Sequence, residues 1–493
     1  MTHWTALISV LALAVPALQE AEKKEPKSAP KSFARELEGR FGAVDVKYTA
    51  TVAETILTDD KDKPEASIWS TAYVQRDVAD PATRPVTFLW NGGPGSSSVW
   101  LHMGAFGPKR VDVPSDAKDD GGPPYRLIDN PECFLDLSDI VFVDPVGTGF
   151  SKPLGETQGS AFWGVQQDAR SIARFIRRWI SDHQRWNSPK FIGGESYGTT
   201  RAAAVVNELE GGFDDVALNG VLLISAILDF SADATATGNE LAYALNVPTY
   251  AATAWFHGLA GEGQTIEAFV TRARHFALGE YMHGLLLGES LAAEDRARLA
   301  RELAELTGLA RDYVEHSNLR IRPDRFQKEL LRARGLTVGR LDSRYTGVDL
   351  DRAGESPEND PSFYGIDGAY ASAINAWLRG ALGVDVEPQY RIIGGLSGGW
   401  DWGLGDPFYV NVAPYLGQAM RENSGLHVFV ACGYYDMATP FFGAEYSLNR
   451  SGVVPARVHY AYYEAGHMMY VNHPSLAKLQ KDVRAFLASA LAR

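Results

Sequence analysis

Gly194-Glu195-Ser196-Tyr197-Gly198 follows the apolar pair Phe191-Ile192 and precedes Arg201-Ala202-Ala203-Ala204-Val205-Val206, a run suited to a helix. Strand, tight turn and helix are implied in that order. In a G-x-S-x-G turn the serine takes strained backbone angles that small neighbours permit, and its Oγ then stands exposed above the end of a sheet. Such a hydroxyl is placed for nucleophilic attack. The pentapeptide alone is a weak signal in a chain with 48 glycines, so the partners that such a serine needs must be found elsewhere in the chain.

An acyl-transfer serine needs a base to take its proton, and the base needs a carboxylate to fix its tautomer. On this turn the partners follow in the order Asp or Glu, then His. Leu426-His427-Val428-Phe429-Val430-Ala431-Cys432 reads as a buried strand running into Gly433-Tyr434-Tyr435-Asp436. Arg457-Val458-His459-Tyr460-Ala461-Tyr462-Tyr463 reads as the next strand, running into Glu464-Ala465-Gly466-His467. Asp436 and His467 thus sit just past strand ends, where catalytic groups of open α/β sheets gather. Glu464 and Asp229 compete for the acid's place, but the strand of Asp436 directly precedes that of His467. His427 and His459 lie inside strands and are read as structural. Ser196, Asp436 and His467 are the catalytic candidates.

Pro85-Val86-Thr87-Phe88-Leu89-Trp90 is a further strand candidate, ending in Asn91-Gly92-Gly93-Pro94-Gly95-Ser96-Ser97-Ser98. Glycines let a loop bring backbone N–H groups close to a substrate, so Gly92 or Gly93, together with Tyr197, can supply oxyanion donors. An ordinary Gly-Pro turn is the plainer alternative. A phosphate loop is excluded because no Lys-Ser/Thr follows the glycines.

The segments Trp90 to Gly95, Asp144-Pro145-Val146-Gly147-Thr148-Gly149-Phe150-Ser151, Gly194 to Gly198, and the ends carrying Asp436 and Gly466-His467-Met468 together resemble the serine carboxypeptidase family, in a bacterial-type member. The resemblance implies an α/β-hydrolase fold, with a mixed, mostly parallel sheet, and removal of C-terminal residues from peptides through an acyl-enzyme. It also implies that Asn91, Glu195 and the Gly92 N–H receive the substrate carboxylate, and that Gly93 and Tyr197 supply the oxyanion N–H groups. No arginine stands beside either motif to make a bidentate carboxylate clamp. Asn91 can donate, whereas Glu195 donates only when protonated, so acidic conditions should favour binding. Two departures from the family pattern stand out: Ala105 occupies the place of a second glutamic acid that shares a proton with Glu195, and Ser96 occupies that of a cysteine. Without a like-charged neighbour, one reason for Glu195 to keep its proton is gone. An esterase or acyltransferase with the same triad is the alternative function, since a fold and triad do not choose the leaving group.

Composition fits a globular enzyme: of 493 residues, 45% are hydrophobic and 22% charged. The formal charge of −14 disfavours nucleic acid as a partner; peptide substrates are what the family resemblance implies, and the oligomeric state is left open. Cys133 and Cys432 are the only cysteines and lack any metal-ligand spacing, so no metal or cofactor is implied, and a disulfide between them is left open. Residues 1–17 read as a signal peptide of an exported protein, periplasmic or secreted, and the apolar run from Ala6 to Val15 is too short to span a membrane. An exposed tail is expected over 18–40. The enzyme core is expected over 41–230 and 386–493, separated by a largely helical cap over 231–385. Ile172, Phe175, Ile176 and Trp179 recur at helical spacing and predict a crossover helix before Ser196. Trp255, Trp400 and Trp402 are pocket candidates, with core packing the plainer role.

Overall fold

The structure of the protein, a computed structural model, describes residues 29–212, 214–403 and 409–492. The expected signal peptide and residues 18–28 of the expected tail lie outside the described residues. Nine strands form the path of one sheet: β1 Ser32–Phe41, β2 Val44–Thr58, β3 Pro64–Gln75, β4 Val86–Trp90, β5 Asp139–Asp144, β6 Lys190–Ser196, β7 Gly220–Ala226, β8 His427–Gly433 and β9 Val458–Tyr463. Their spatial order is β1-β2-β3-β5-β4-β6-β7-β8-β9, and the short strand Lys152–Pro153 pairs with β3 as a tenth. β1, β2, β3 and β5 pair antiparallel in turn, while β5, β4 and every later strand run parallel.

Residues 32–40, expected in an exposed tail, are instead most of β1. Phe33, Leu37 and Phe41 share one face of the strand and pack into the core on that side of the sheet. The charges on the other face suit a sheet edge. The central strands read as continuous apolar runs because both faces are covered. Phe88, Trp90, Ile192, Val221, Leu223, Val428 and Val430 pack on one side, with helix α1, Val165–Asp182, and helix α2, Tyr197–Glu210. Their neighbours Leu89, Phe191, Leu222, Ile224, Phe429 and Ala431 pack on the other, with the C-terminal helix His473–Leu491. The predicted crossover helix is α1, with Ile172, Phe175, Ile176 and Trp179 buried.

Cys432 belongs to the first face and Cys133 to the second, and both are buried free thiols. Between β7 and β8 the chain forms helix α3, Glu240–Phe256, a succession of further helices, and a small hairpin pairing Thr337–Val338 with Thr346–Gly347. Two residues per strand are too few to register as alternation in the sequence. Among the described residues no helix is long and apolar enough to cross a membrane.

Candidate active site

β6 ends on Ser196 and α2 begins on Tyr197, with no linker between them. Ser196 has φ 60° and ψ −133°, a conformation that costs a non-glycine residue about 1–3 kcal/mol. The turn is tight enough that a Cβ at Gly194 would stand 2.0 Å from the Gly198 carbonyl oxygen, which explains the glycine there. Behind the turn, Arg201 and Asp168 form a buried ion pair at 2.6 Å, and Arg201 also donates to the Asn91 carbonyl. One guanidinium thus ties the serine's helix to the asparagine loop. Trp400 and Trp402 meet the Tyr197 ring edge-on, with centroids at 5.3 and 6.0 Å, and Trp255 donates to the Gln264 carbonyl. The tryptophans are packing groups rather than free pocket walls.

His467 Nδ1 lies 2.7 Å from Asp436 Oδ2, and both side chains are buried. An ionised carboxylate only accepts, so Nδ1 carries the proton of this bond. Asp436 Oδ1 accepts from the N–H groups of Ala438 at 2.8 Å and Thr439 at 3.0 Å, and the Thr439 hydroxyl lies 2.8 Å from Oδ2. Burial works against a charged His467, but the charge of Asp436 and its hydrogen bond outweigh it and hold the imidazole above its ordinary value. The Ser225 hydroxyl donates to the His467 carbonyl at 2.7 Å, and the His467 N–H donates to the Leu341 carbonyl at 2.6 Å. The loop is therefore held from the sheet and from the insertion at once. The rival acids stand elsewhere: Asp229 bonds Ser231 and Asn411, and Glu464 lines the groove along β9. His427 and His459 stack on each other from β8 and β9, with rings 5.4 Å apart.

Ser196 and His467 share a cavity of about 230 Å³ with Asn91, Gly92, Gly93, Glu195 and Arg340. Pairing of Trp90 with Gly194 brings the asparagine loop alongside the serine turn. Tyr197 opens α2, so its N–H sits at the positive end of the helix. Asn91 Nδ2 donates to Glu195 Oε1 at 3.1 Å, and its Oδ1 accepts from the Leu101 N–H at 3.0 Å. Tyr470 donates its hydroxyl to Glu195 Oε2 at 2.7 Å. Burial pushes the Glu195 carboxyl up to about 7, against the lowering influence of His467 and of these two donors. Desolvation thus retains the proton that Ala105 cannot help to hold.

Sequence reasoning missed Tyr470, Thr439, Ser225 and the insertion segment around Leu341. Only Thr439 left a local signal. It stands three residues after Asp436, the spacing at which an aspartate collects backbone N–H groups and a hydroxyl in one turn.

Comparison with known proteins matches residues 62–264 to the family described as serine carboxypeptidase, a span holding Asn91–Gly93 and Glu195–Tyr197 but ending before Asp436 and His467. Serine carboxypeptidase-like 16 of Arabidopsis thaliana is 27% identical over 171 residues, 33% of this chain and 37% of that protein. Serine carboxypeptidase-like 5 of the same plant is 30% identical over 144 residues, 28% of this chain and 31% of that protein. The chain therefore aligns with about a third of the length of these relatives. A crystal structure of a prohormone-processing carboxypeptidase from Saccharomyces cerevisiae superposes with a TM-score of 0.55 at 14% identity, covering 89% of this chain and 92% of that one. The fold is that of the α/β-hydrolases. Within that fold, the likeness to the serine carboxypeptidase family spans residues 62–264, less than half of the chain. These relatives are plant and yeast proteins, so the bacterial type expected from the sequence draws no support from them.

Proposed function

We propose that the protein is a serine carboxypeptidase, releasing C-terminal residues from peptides through an acyl-enzyme, in an exported setting. The observation that carries this is the neutral-prone Glu195, bonded to Asn91 at 3.1 Å and lining the same cavity as Ser196 and His467. A hydrolase of uncharged esters gains nothing from two polar groups paired beside its serine. An amide N–H and a protonated carboxyl both donate, and together they suit a terminal carboxylate.

In this mechanism Ser196 Oγ attacks the scissile carbonyl carbon while Nε2 of His467 takes its proton. Asp436 holds Nδ1–H and stabilises the imidazolium. The N–H groups of Gly93 and Tyr197 take the developing oxyanion, and that of Gly92 joins Asn91 and Glu195 on the chain-end carboxylate. His467 returns the proton to the leaving amine; water, deprotonated by the same imidazole, then releases the acyl group and restores Ser196.

The test compares kcat/KM for one peptide as free acid, as C-terminal amide and as the matching ester. A free-acid preference of tenfold or more over the amide supports exopeptidase action. Indifference to the carboxylate, with fast ester turnover, would favour the esterase or acyltransferase alternative.

A further inference from the structure

We propose that Tyr470 is a positioning residue for the carboxylate end of this site: its hydroxyl holds one oxygen of Glu195 from behind and leaves the other beside Asn91 to meet the chain end. The proposal rests on the carboxypeptidase reading and deepens it.

Tyr470 lies on the short turn Met469–Val471, three residues beyond His467, so one loop delivers both the imidazole and the phenol. The phenol is buried and does not line the cavity, whereas Glu195 and Asn91 do. Its ring seats against the turn Leu101–Phe106, and a Cβ at Gly104 would stand 2.5 Å from a ring carbon. The approach needs a glycine at that position. Gly104 makes room for the phenol, and Glu195 bonds to an amide and a phenol.

The difference is chemical. A second carboxyl would titrate together with Glu195 and share its proton, whereas burial pushes the Tyr470 phenol well above its usual range, so it keeps its proton and remains a donor. Both oxygens accept, but Oε2 takes the shorter bond, 2.7 Å from the phenol against 3.1 Å from Asn91, so the proton of a neutral Glu195 is placed on Oε1, the oxygen beside Asn91. Tyr470 thereby fixes which way the acid presents its O–H. The other titratable groups acting on Glu195 are His467, Asp436 and Tyr370. Of these, His467 favours its ionised form and Asp436 opposes it.

Tyr470→Phe removes the hydroxyl and keeps the ring. The ratio of free-acid-peptide to ester kcat/KM should fall about tenfold, mostly through KM for the peptide. The Glu195 titration, read without substrate as the infrared carboxyl band that Glu195→Gln abolishes, should shift to higher pH, because a donor to the ionised form is lost. An unmoved midpoint, or equal losses on peptide and ester, would overturn the proposal. If wild type ignores the substrate carboxylate, the carboxypeptidase reading fails instead, and the infrared midpoint still decides whether Tyr470 holds Glu195.

Discussion

Asp436 Oδ2 lies 2.7 Å from His467 Nδ1, while Asp436 Oδ1 takes the N–H groups of Ala438 and Thr439 at 2.8 and 3.0 Å. The acid is fixed by its own turn before any substrate arrives, so the imidazole it holds is fixed too. On the proposed mechanism the three groups act as a unit, so Ser196→Ala and His467→Ala should each lower kcat on the order of 10⁶, and Asp436→Asn about 10⁴. A fluorophosphonate should label Ser196 in the wild type. Turnover surviving in Ser196→Ala would remove the nucleophile from the account.

Asn91 spends Oδ1 on the Leu101 N–H and Nδ2 on Glu195. Asn91→Ala therefore loosens the loop for every substrate, with an added loss only where a chain-end carboxylate is bound. That addition should be about 1.5–3 kcal/mol, the worth of a hydrogen bond to a charged group. Comparing free-acid and amidated forms of one peptide isolates it, and equal losses would reduce Asn91 to a loop-shaping residue.

Opposed titrations should shape the pH dependence. On the proposed reading peptide binding needs Glu195 neutral and should fall as pH rises through about 7. The proposed triad needs His467 neutral and should gain as pH rises through an imidazole value lifted above the ordinary one. A free-acid peptide should give a bell-shaped kcat/KM profile, and an ester without a carboxylate only the ascending limb. Glu195→Gln, which donates at any pH, should remove the descending limb for the peptide. Identical profiles for the two substrates in wild type would contradict this.

Asp168 and Arg201 are both buried behind the serine turn, with Arg201 also on the Asn91 carbonyl. Asp168→Ala leaves an uncompensated guanidinium and should cost about 3–5 kcal/mol. A urea midpoint lower by the corresponding amount is the expected measurement, whereas an unchanged midpoint would show that solvent reaches Arg201.

The turn at Ser196 was legible because an apolar strand, glycines and a helix-prone run meet within a few residues. Asp436 and His467 were legible because each follows, within a few residues, a strand rich in apolar and aromatic residues. Strand β1 was not, since Arg35, Glu36, Glu38 and Arg40 outweigh Phe33, Leu37 and Phe41 in a composition-based reading. Nor were the supports of His467: Ser225 and Leu341 reach it across more than a hundred residues of chain, through contacts that exist only once the insertion has packed. Ala105 suggested that Glu195 lacks help in keeping its proton, but burial, which one motif does not reveal, supplies that help.

On the proposed function, this site cuts peptides at the carboxyl end. Digesting a mixed library of free-acid peptides and reading the products by mass tests it most directly, with Ser196→Ala as the blank. Ladders shortened one residue at a time from the C-terminus are expected, with C-terminally amidated peptides cut far more slowly. Internal fragments, or loss of residues from the N-terminus, would contradict it.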